Sequence, residues 1–483
     1  MNNHNNMTPD WVKNAVFYQI FPDRFAASAQ VVKPGNLEPW DATPTTKGFK
    51  GGDLMGVVEK IDYLVDLGIT AIYFNPIFQS ASNHRYHTHD YYRVDPLLGG
   101  DAAFDLLIEE AHKRNIHVVL DGVFNHASRG FFQFNHILEC EEKSPYIDWF
   151  HIKGFPLHAY EGKINYVAWW EIPGLPKFNT DNPQVRQYIF DVAKYWIDRG
   201  ADGWRLDVPF EIDDDDFWRE FREVVKTANP EAYIVGEIPI VARRWMTGDQ
   251  FDAVMNYQIT QACLGFFGGS QIDRELAEGF MGLETPPKLN AAQFATRAVD
   301  LLNYCQREFA HAQLNLLDSH DMPRFLSLVK NDPKRLYLAY LFILTYPGAP
   351  CIYYGDEIGM NGGVDPLCRK GFDWDETHWN VELRNGLREL ITLRHAMPAL
   401  RTGDFEPIYT QDDILVYLRK DASDTVLVAM NLGQEAQSLD LGAKPDFEDG
   451  TLLQSQLDDR NFTVVDGRLS GISLEPMSAI ILA

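Results

Sequence analysis

NPQVRQYIFDVAKYWIDRGADGWRLDV, residues 182–208, decides the fold: a helix-like run to residue 200 passes directly into a short apolar strand that ends in charge. Seven other short apolar runs end in polar or charged residues: AVFYQIFPDRF (15–25), ITAIYFNPIF (69–78), HVVLDGVFNH (117–126), AYIVGEI (232–238), FDAVMNY (251–257), AQLNLLDSHD (312–321) and APCIYYGDEIG (349–359). Helix-like segments separate them, among them 53–68, 102–115 and 215–229. In the first, Leu54, Val57, Val58, Ile61, Leu64 and Leu67 recur at helical spacing and Gly68 supplies a stop. Short strands that alternate with helices form parallel sheets, and eight such units predict an α/β fold, the (β/α)8 barrel.

Two departures from the alternation set the domain plan. After the third strand, residues 127–178 are rich in aromatics and Pro, and read as a lobe inserted beside the barrel (domain B). After the helix NVELRNGLRELITLRHAMPAL the pattern changes to strands such as DILVYLRK, DTVLVAMNL and SAIILA, so residues 400–483 predict a C-terminal antiparallel β-domain (domain C). The barrel then comprises 11–126 and 179–399, behind a polar N-terminal tail, 1–10.

A net charge of -26 repels nucleic acid and anionic lipid, which leaves a neutral substrate as the best fit. No apolar run approaches the roughly 20 residues that cross a bilayer, and no secretory signal is seen, so a cytoplasmic protein is expected. The five cysteines are odd in number and scattered, without a C-x-x-C pair, and read as free thiols.

The strands of a barrel point one way, so acids at their C-terminal ends gather at one mouth. Asp121 and His126 follow the third strand, Arg205 and Asp207 end the fourth, Glu237 ends the fifth, and His320 and Asp321 end the seventh. Glycoside cleavage needs one carboxylic acid to protonate the leaving oxygen and one carboxylate to trap the oxocarbenium-like sugar; a separation of about 5–5.5 Å gives retention. Arg205 shares a strand face with Asp207 and is placed to hold it ionised. Glu237, between Val235 and Ile238, is expected in an apolar setting that suits a proton donor.

Four motifs in order, DGVFNH (121–126), GWRLDV (203–208), VGEI (235–238) and LLDSHD (316–321), resemble those of the α-amylase superfamily of glycoside hydrolases. The resemblance implies Asp207 as nucleophile, Glu237 as general acid/base and Asp321 as a carboxylate on the hydroxyls of the distorted sugar, with Arg205, His126 and His320 around the same ring. LPKFN (175–179), NHRYHTHDYYRVDP (83–96) and GDQFDAVMNY (248–257) are most similar to neopullulanase, cyclomaltodextrinase and maltogenic amylase, in which Tyr86 would stack under the sugar. The substrates so implied are maltooligosaccharides, pullulan, cyclodextrins or branched glucans.

Three features depart from that group. Its additional N-terminal β-domain is not seen before the first strand, so a homodimer would use a new interface. Pro239 stands where a Trp usually follows the catalytic acid, leaving Trp245 as its substitute. Pro209 and Phe210 replace the usual Ala-Asn after Val208. These positions leave α-1,4 against α-1,6 preference open and favour branched or bulky chains. Transglycosylation is the alternative reaction, and a non-catalytic glucan-binding relative the alternative class. The first loop, DRFAASAQVVKPGNLEPWDAT, offers few clustered oxygens where calcium needs about six to eight, so no metal or cofactor is expected, and Asn125 reads as a structural residue.

Overall fold

The computed structural model describes residues 8–278, 284–441 and 447–483. Most of the tail expected at 1–10 lies outside them; Asp10 already opens a short helix, Asp10–Asn14. The chain divides into two compact units, one built on Phe17–Met255 with Arg369–Trp374, the other on Asn256–Cys368 and Asp375–Ala483 with Lys13–Val16.

The first unit holds six parallel strands: β1 (Phe17–Ile20), β2 (Ala71–Phe74), β3 (His117–Gly122), β4 (Gly203–Leu206), β5 (Tyr233–Gly236) and β6 (Ala253–Val254), neighbours in chain order. Register matters for function. Asp121 of β3 lies opposite Arg205 of β4, and Arg205 lies opposite Val235 of β5, so the same register sets residues 207 and 237 side by side one step beyond the strands. All residues of β4 and β5 are buried, as a barrel wall demands.

Local chemistry explains the helices between these strands. Asn182 accepts from the Gln184 amide at 2.8 Å and Pro183 starts the helix Pro183–Asp198, which buries Val185, Ile189, Val192, Ala193 and Trp196 at three- and four-residue steps. Each large apolar side chain so buried contributes about 1.5–3 kcal/mol. Asp214 caps Asp215–Ala228 through the Asp216 and Phe217 amides. The run 53–68 forms two helices rather than one, Leu54–Glu59 and Ile61–Leu67, because Lys60 between them leaves the helical dihedrals (φ -107°, ψ 8°). The inserted segment contains a helix, Phe132–Cys140, that its composition does not announce, and an aromatic core in which Phe150 meets Phe134 at 5.0 Å and Phe178 at 5.4 Å.

In the second unit β7 (Leu314–Leu316) and β8 (Ala349–Tyr353) pair in parallel, Ala349 opposite Leu314. These complete the eight parallel strands of a (β/α)8 barrel. The helix between them, Pro333–Thr345, is buried on nearly every side. Beyond it follow the antiparallel strands β9 (Asp404–Gln411), β10 (Ile414–Lys420) and β11 (Thr425–Asn431), joined by Ser478–Leu482. Their buried Val416, Leu418, Ala429 and Ile480 join Ile472 of another strand, Leu469–Leu474, in the core of the C-terminal β-domain. All five cysteines are free, and among the described residues no helix is long and apolar enough to cross a membrane.

Candidate active site

Arg205 is the hub of the first unit's strand ends. Its guanidinium is completely buried and donates from Nη1 to both oxygens of Asp121, at 2.9 and 3.0 Å, and to Asp207 Oδ1 at 3.0 Å. Nη2 approaches Glu237 Oε1 at 2.6 Å, an ion pair whose N–H lies off the hydrogen-bond line. Burial opposes the guanidinium charge, but Asp121 and then Glu237 outweigh it and hold Arg205 well above its ordinary value. One fixed cation therefore collects three carboxylates from three strands. Glu237 does not lie in the purely apolar setting expected of it: besides Arg205, its Oε2 accepts from the Val208 amide at 3.1 Å.

Val208 carries strain. It is β-branched, precedes Pro209, and adopts φ 36°, a left-handed conformation that such a residue rarely takes and that costs about 1–3 kcal/mol. The strained turn aims the Val208 amide at Glu237 and so ties the segment after Asp207 to the neighbouring strand end.

Tyr86 closes one side of the cluster. Its hydroxyl lies 2.7 Å from Asp121 Oδ2, with Asn75 Nδ2 donating to it at 3.1 Å, and Asn75 is in turn held by Gln19 at 3.1 Å. Burial first, and the Asp121 charge second, push the Tyr86 hydroxyl well above its ordinary value, so it stays protonated. His126 is buried too; desolvation, with the His87 charge adding to it, brings it down to about 3, so its ring is neutral at ordinary pH. The ring stacks on Trp169, centroids 5.3 Å apart. Asn125 donates toward His126 Nδ1 at 3.2 Å.

In the second unit His320 Nε2 lies 3.0 Å from Asp321 Oδ2. Their segment is anchored by a buried set: Asp318 accepts from the Phe325 amide at 2.5 Å, while Arg324 and Tyr340 hold Asp356 at 2.8 and 2.6 Å. Burial, then the Asp356 charge, push the Asp318 carboxyl well above the usual carboxylate range.

Two of the first loop's carboxylates, Asp23 and Glu38, meet the protein's own donors, Glu38 accepting from the Thr45 amide at 3.2 Å. Asp23 accepts from Arg24 and from the Lys50 and Gly51 amides, and Lys33 lies 3.0 Å from Asp53. Among the described residues no three His, Cys, Asp or Glu side chains gather as a metal cluster.

Residues 19–396 match the model of the α-amylase catalytic domain, and residues 405–481 that of the maltogenic amylase C-terminal domain. The chain belongs to the α-amylase family of glycoside hydrolases. Over 435 residues it is 44% identical to a cyclomaltodextrinase of Geobacillus thermopakistaniensis, covering 89% of this chain and 71% of that protein. Neopullulanase 2 of Thermoactinomyces vulgaris is 43% identical over 437 residues, 89% of this chain and 72% of that one. The solved debranching enzyme of Nostoc punctiforme is 47% identical, superposes with a TM-score of 0.89 and covers 99% of both chains.

Within this α-amylase frame, Tyr86, Asp121, Arg205, Asp207 and Glu237 form one bonded cluster, and His320 and Asp321 form a pair of their own. Trp245 does not present a face to an acceptor: it is 6% exposed, beneath the Arg244 guanidinium. The exposed apolar residues after Pro239 are Ile240 and Val241. Sequence reasoning passed over Asn75, Gln19 and Asp318, although Asn75 and Asp318 stand at strand ends, the signal that found the acids.

Proposed function

We propose that the protein hydrolyses α-glucosidic bonds of α-glucans with retention of configuration. Asp207 is the nucleophile, Glu237 the acid/base and Asp321 the carboxylate on the hydroxyls of the distorted sugar, with Tyr86, Asp121, His126, Arg205 and His320 around that ring. The observation that carries this reading is the single Arg205 guanidinium, which meets Asp207 through one nitrogen and Glu237 through the other. Carboxylates spanned by one guanidinium suit the close spacing of a retaining site, with no room reserved between them for a water. Asp207 attacks the anomeric carbon while Glu237 gives its proton to the leaving oxygen. Glu237 then takes a proton from water, whose oxygen displaces Asp207 and restores both carboxyl groups.

Maltooligosaccharides, cyclodextrins, pullulan and branched glucans are the substrates we assign, α-1,6 as well as α-1,4 bonds included. The names of the similar proteins, one a debranching enzyme, support that range. Pullulan digestion tests it: maltotriose among the products supports cleavage of α-1,6 bonds, and panose alone rejects it. Proton NMR of the first product tests retention, which requires the α-anomer; the β-anomer sinks the mechanism.

The division into a barrel (11–126 and 179–399), a lobe (127–178) and a β-domain (400–483) is supported by the change to antiparallel strands at Asp404. We assign the cytoplasm as its location, in keeping with five free cysteines. A homodimer rests on the family resemblance, and light scattering tests it.

A further inference from the structure

Trp169 and Trp170 stack face to face, ring centroids 4.5 Å apart and 11° from parallel. Trp169 also stacks on His126, 22° from parallel. Three rings thus form a column that runs from a buried histidine to solvent, and Trp170 ends it with 74% of its surface exposed. The same chain buries Trp196, Trp204 and Trp218 almost completely, so the exposure belongs to this position and not to a shortage of core.

The backbone holds the ring out. Trp170 adopts φ 49°, ψ 30° and Glu171 φ 57°, two consecutive left-handed residues, neither of them glycine. The turn is clamped on both sides: Glu171 N donates to Ala168 O at 3.2 Å, Ile172 N to Trp169 O at 2.9 Å, and Trp169 N to Leu175 O at 3.0 Å. Backbone strain kept in place by surrounding bonds concentrates where a ligand is clamped.

The occupant follows from the chemistry of the face and the field around it. An open indole face is flat and apolar, and Glu171 beside it together with the net charge of -26 disfavours an anion. A pyranose offers the matching surface, a neutral C–H face rimmed with hydroxyls. His126, at the inner end of the column, is one of the residues assigned to the sugar ring at the cleavage point. We propose that Trp170 is an outer glucosyl-binding platform, holding a sugar of the α-glucan chain beyond those at the acids and so favouring long or branched substrates over short ones. The inference rests on the α-glucan reading above.

The test uses the full-length protein. In an Asp207→Asn background, maltoheptaose is titrated while tryptophan fluorescence is followed, with and without Trp170→Ala. Affinity is expected to fall roughly tenfold on removal of the ring, the scale of one aromatic contact. Trp170→Phe recovers part of it. In the active enzyme, the preference in kcat/KM for maltoheptaose over maltotriose falls by a similar factor in Trp170→Ala. It stays at the wild-type value in Phe132→Ala, which removes another exposed ring of the same inserted segment. Wild-type affinity and wild-type preference in Trp170→Ala overturn the platform. A dimer that Trp170→Ala dissociates, with glucan binding unchanged, assigns the ring to self-association and overturns it equally. If the wild type binds maltoheptaose through Trp170 yet cleaves no glucan, the hydrolase reading fails and the platform stands. If it cleaves glucans and Trp170→Ala changes nothing, the platform fails and the hydrolase reading stands.

Discussion

Replacing Arg205 by alanine removes the one cation that three buried carboxylates share. Asp121, Asp207 and Glu237 are 1%, 8% and 2% exposed, and each lies 2.6–3.0 Å from a guanidinium nitrogen. At an effective dielectric of about 20, one such contact is worth about 5 kcal/mol before desolvation and mutual repulsion are subtracted. What is left when a buried partner is removed is about 3–5 kcal/mol. Thermal unfolding of Arg205→Ala is therefore expected to shift downward by about 3–5 °C. The cause is checked by adding Asp121→Asn. Asp121 is the register partner of Arg205, and neutralising it relieves the surplus negative charge, recovering about 1–3 kcal/mol. If the double variant melts no higher than Arg205→Ala, the loss comes from packing against the Tyr73 ring, 5.8 Å away, and the electrostatic account is refuted.

Other expectations follow from the same structure. Asp207→Asn and Glu237→Gln should each lower kcat on maltotriose by about a thousandfold or more with the fold intact, read by steady-state kinetics beside circular dichroism; full activity in either removes that residue from the mechanism. Arg394 is completely buried and donates to the carbonyls of Leu344 and Leu400 at 2.8 Å, and also to Gly348. Arg394→Met strands these acceptors at about 1–3 kcal/mol each, which a lowered urea midpoint will show; an unchanged midpoint contradicts it. The hydrogen bond to Asp202, 2.8 Å long, raises the pKa of His112 above its ordinary 6.5. Its contribution is therefore fully present below pH 6.5 and lost as pH rises through the raised folded value. His112→Gln should destabilise by no more than about 0.5 kcal/mol in acid, because the pair is partly exposed, and by nothing at alkaline pH. A loss that grows with pH would reverse the sign.

The eight strands were legible because the pattern that makes them is local: each apolar run is short enough to bury on both faces and is followed by a helix with its own caps, as Asn182 and Asp214 show. The acids at the strand ends were legible for the same reason, since a parallel barrel sends every strand end to one side. The break at Lys60 was not, since Leu54, Val57, Ile61 and Leu64 keep helical spacing straight across it. Nor was the burial of Trp245, which depends on what packs over the ring.

What the sequence by itself determined is the set of strands, the net charge of -26 and the acids available for chemistry, all properties of neighbouring residues or of composition. Only the tertiary structure decided that Asp121, Asp207 and Glu237 share one guanidinium, that the Tyr86 hydroxyl rests on Asp121, and that Trp170 stands out in solvent at the end of a stacked column. Arg205 and Asp121 are 84 residues apart, and strand register, set by the hydrogen-bonded ladder between distant segments, is what makes them partners. Chain order holds no record of that register, because a strand pattern states which face of each strand is apolar and not which residue of another strand will stand opposite.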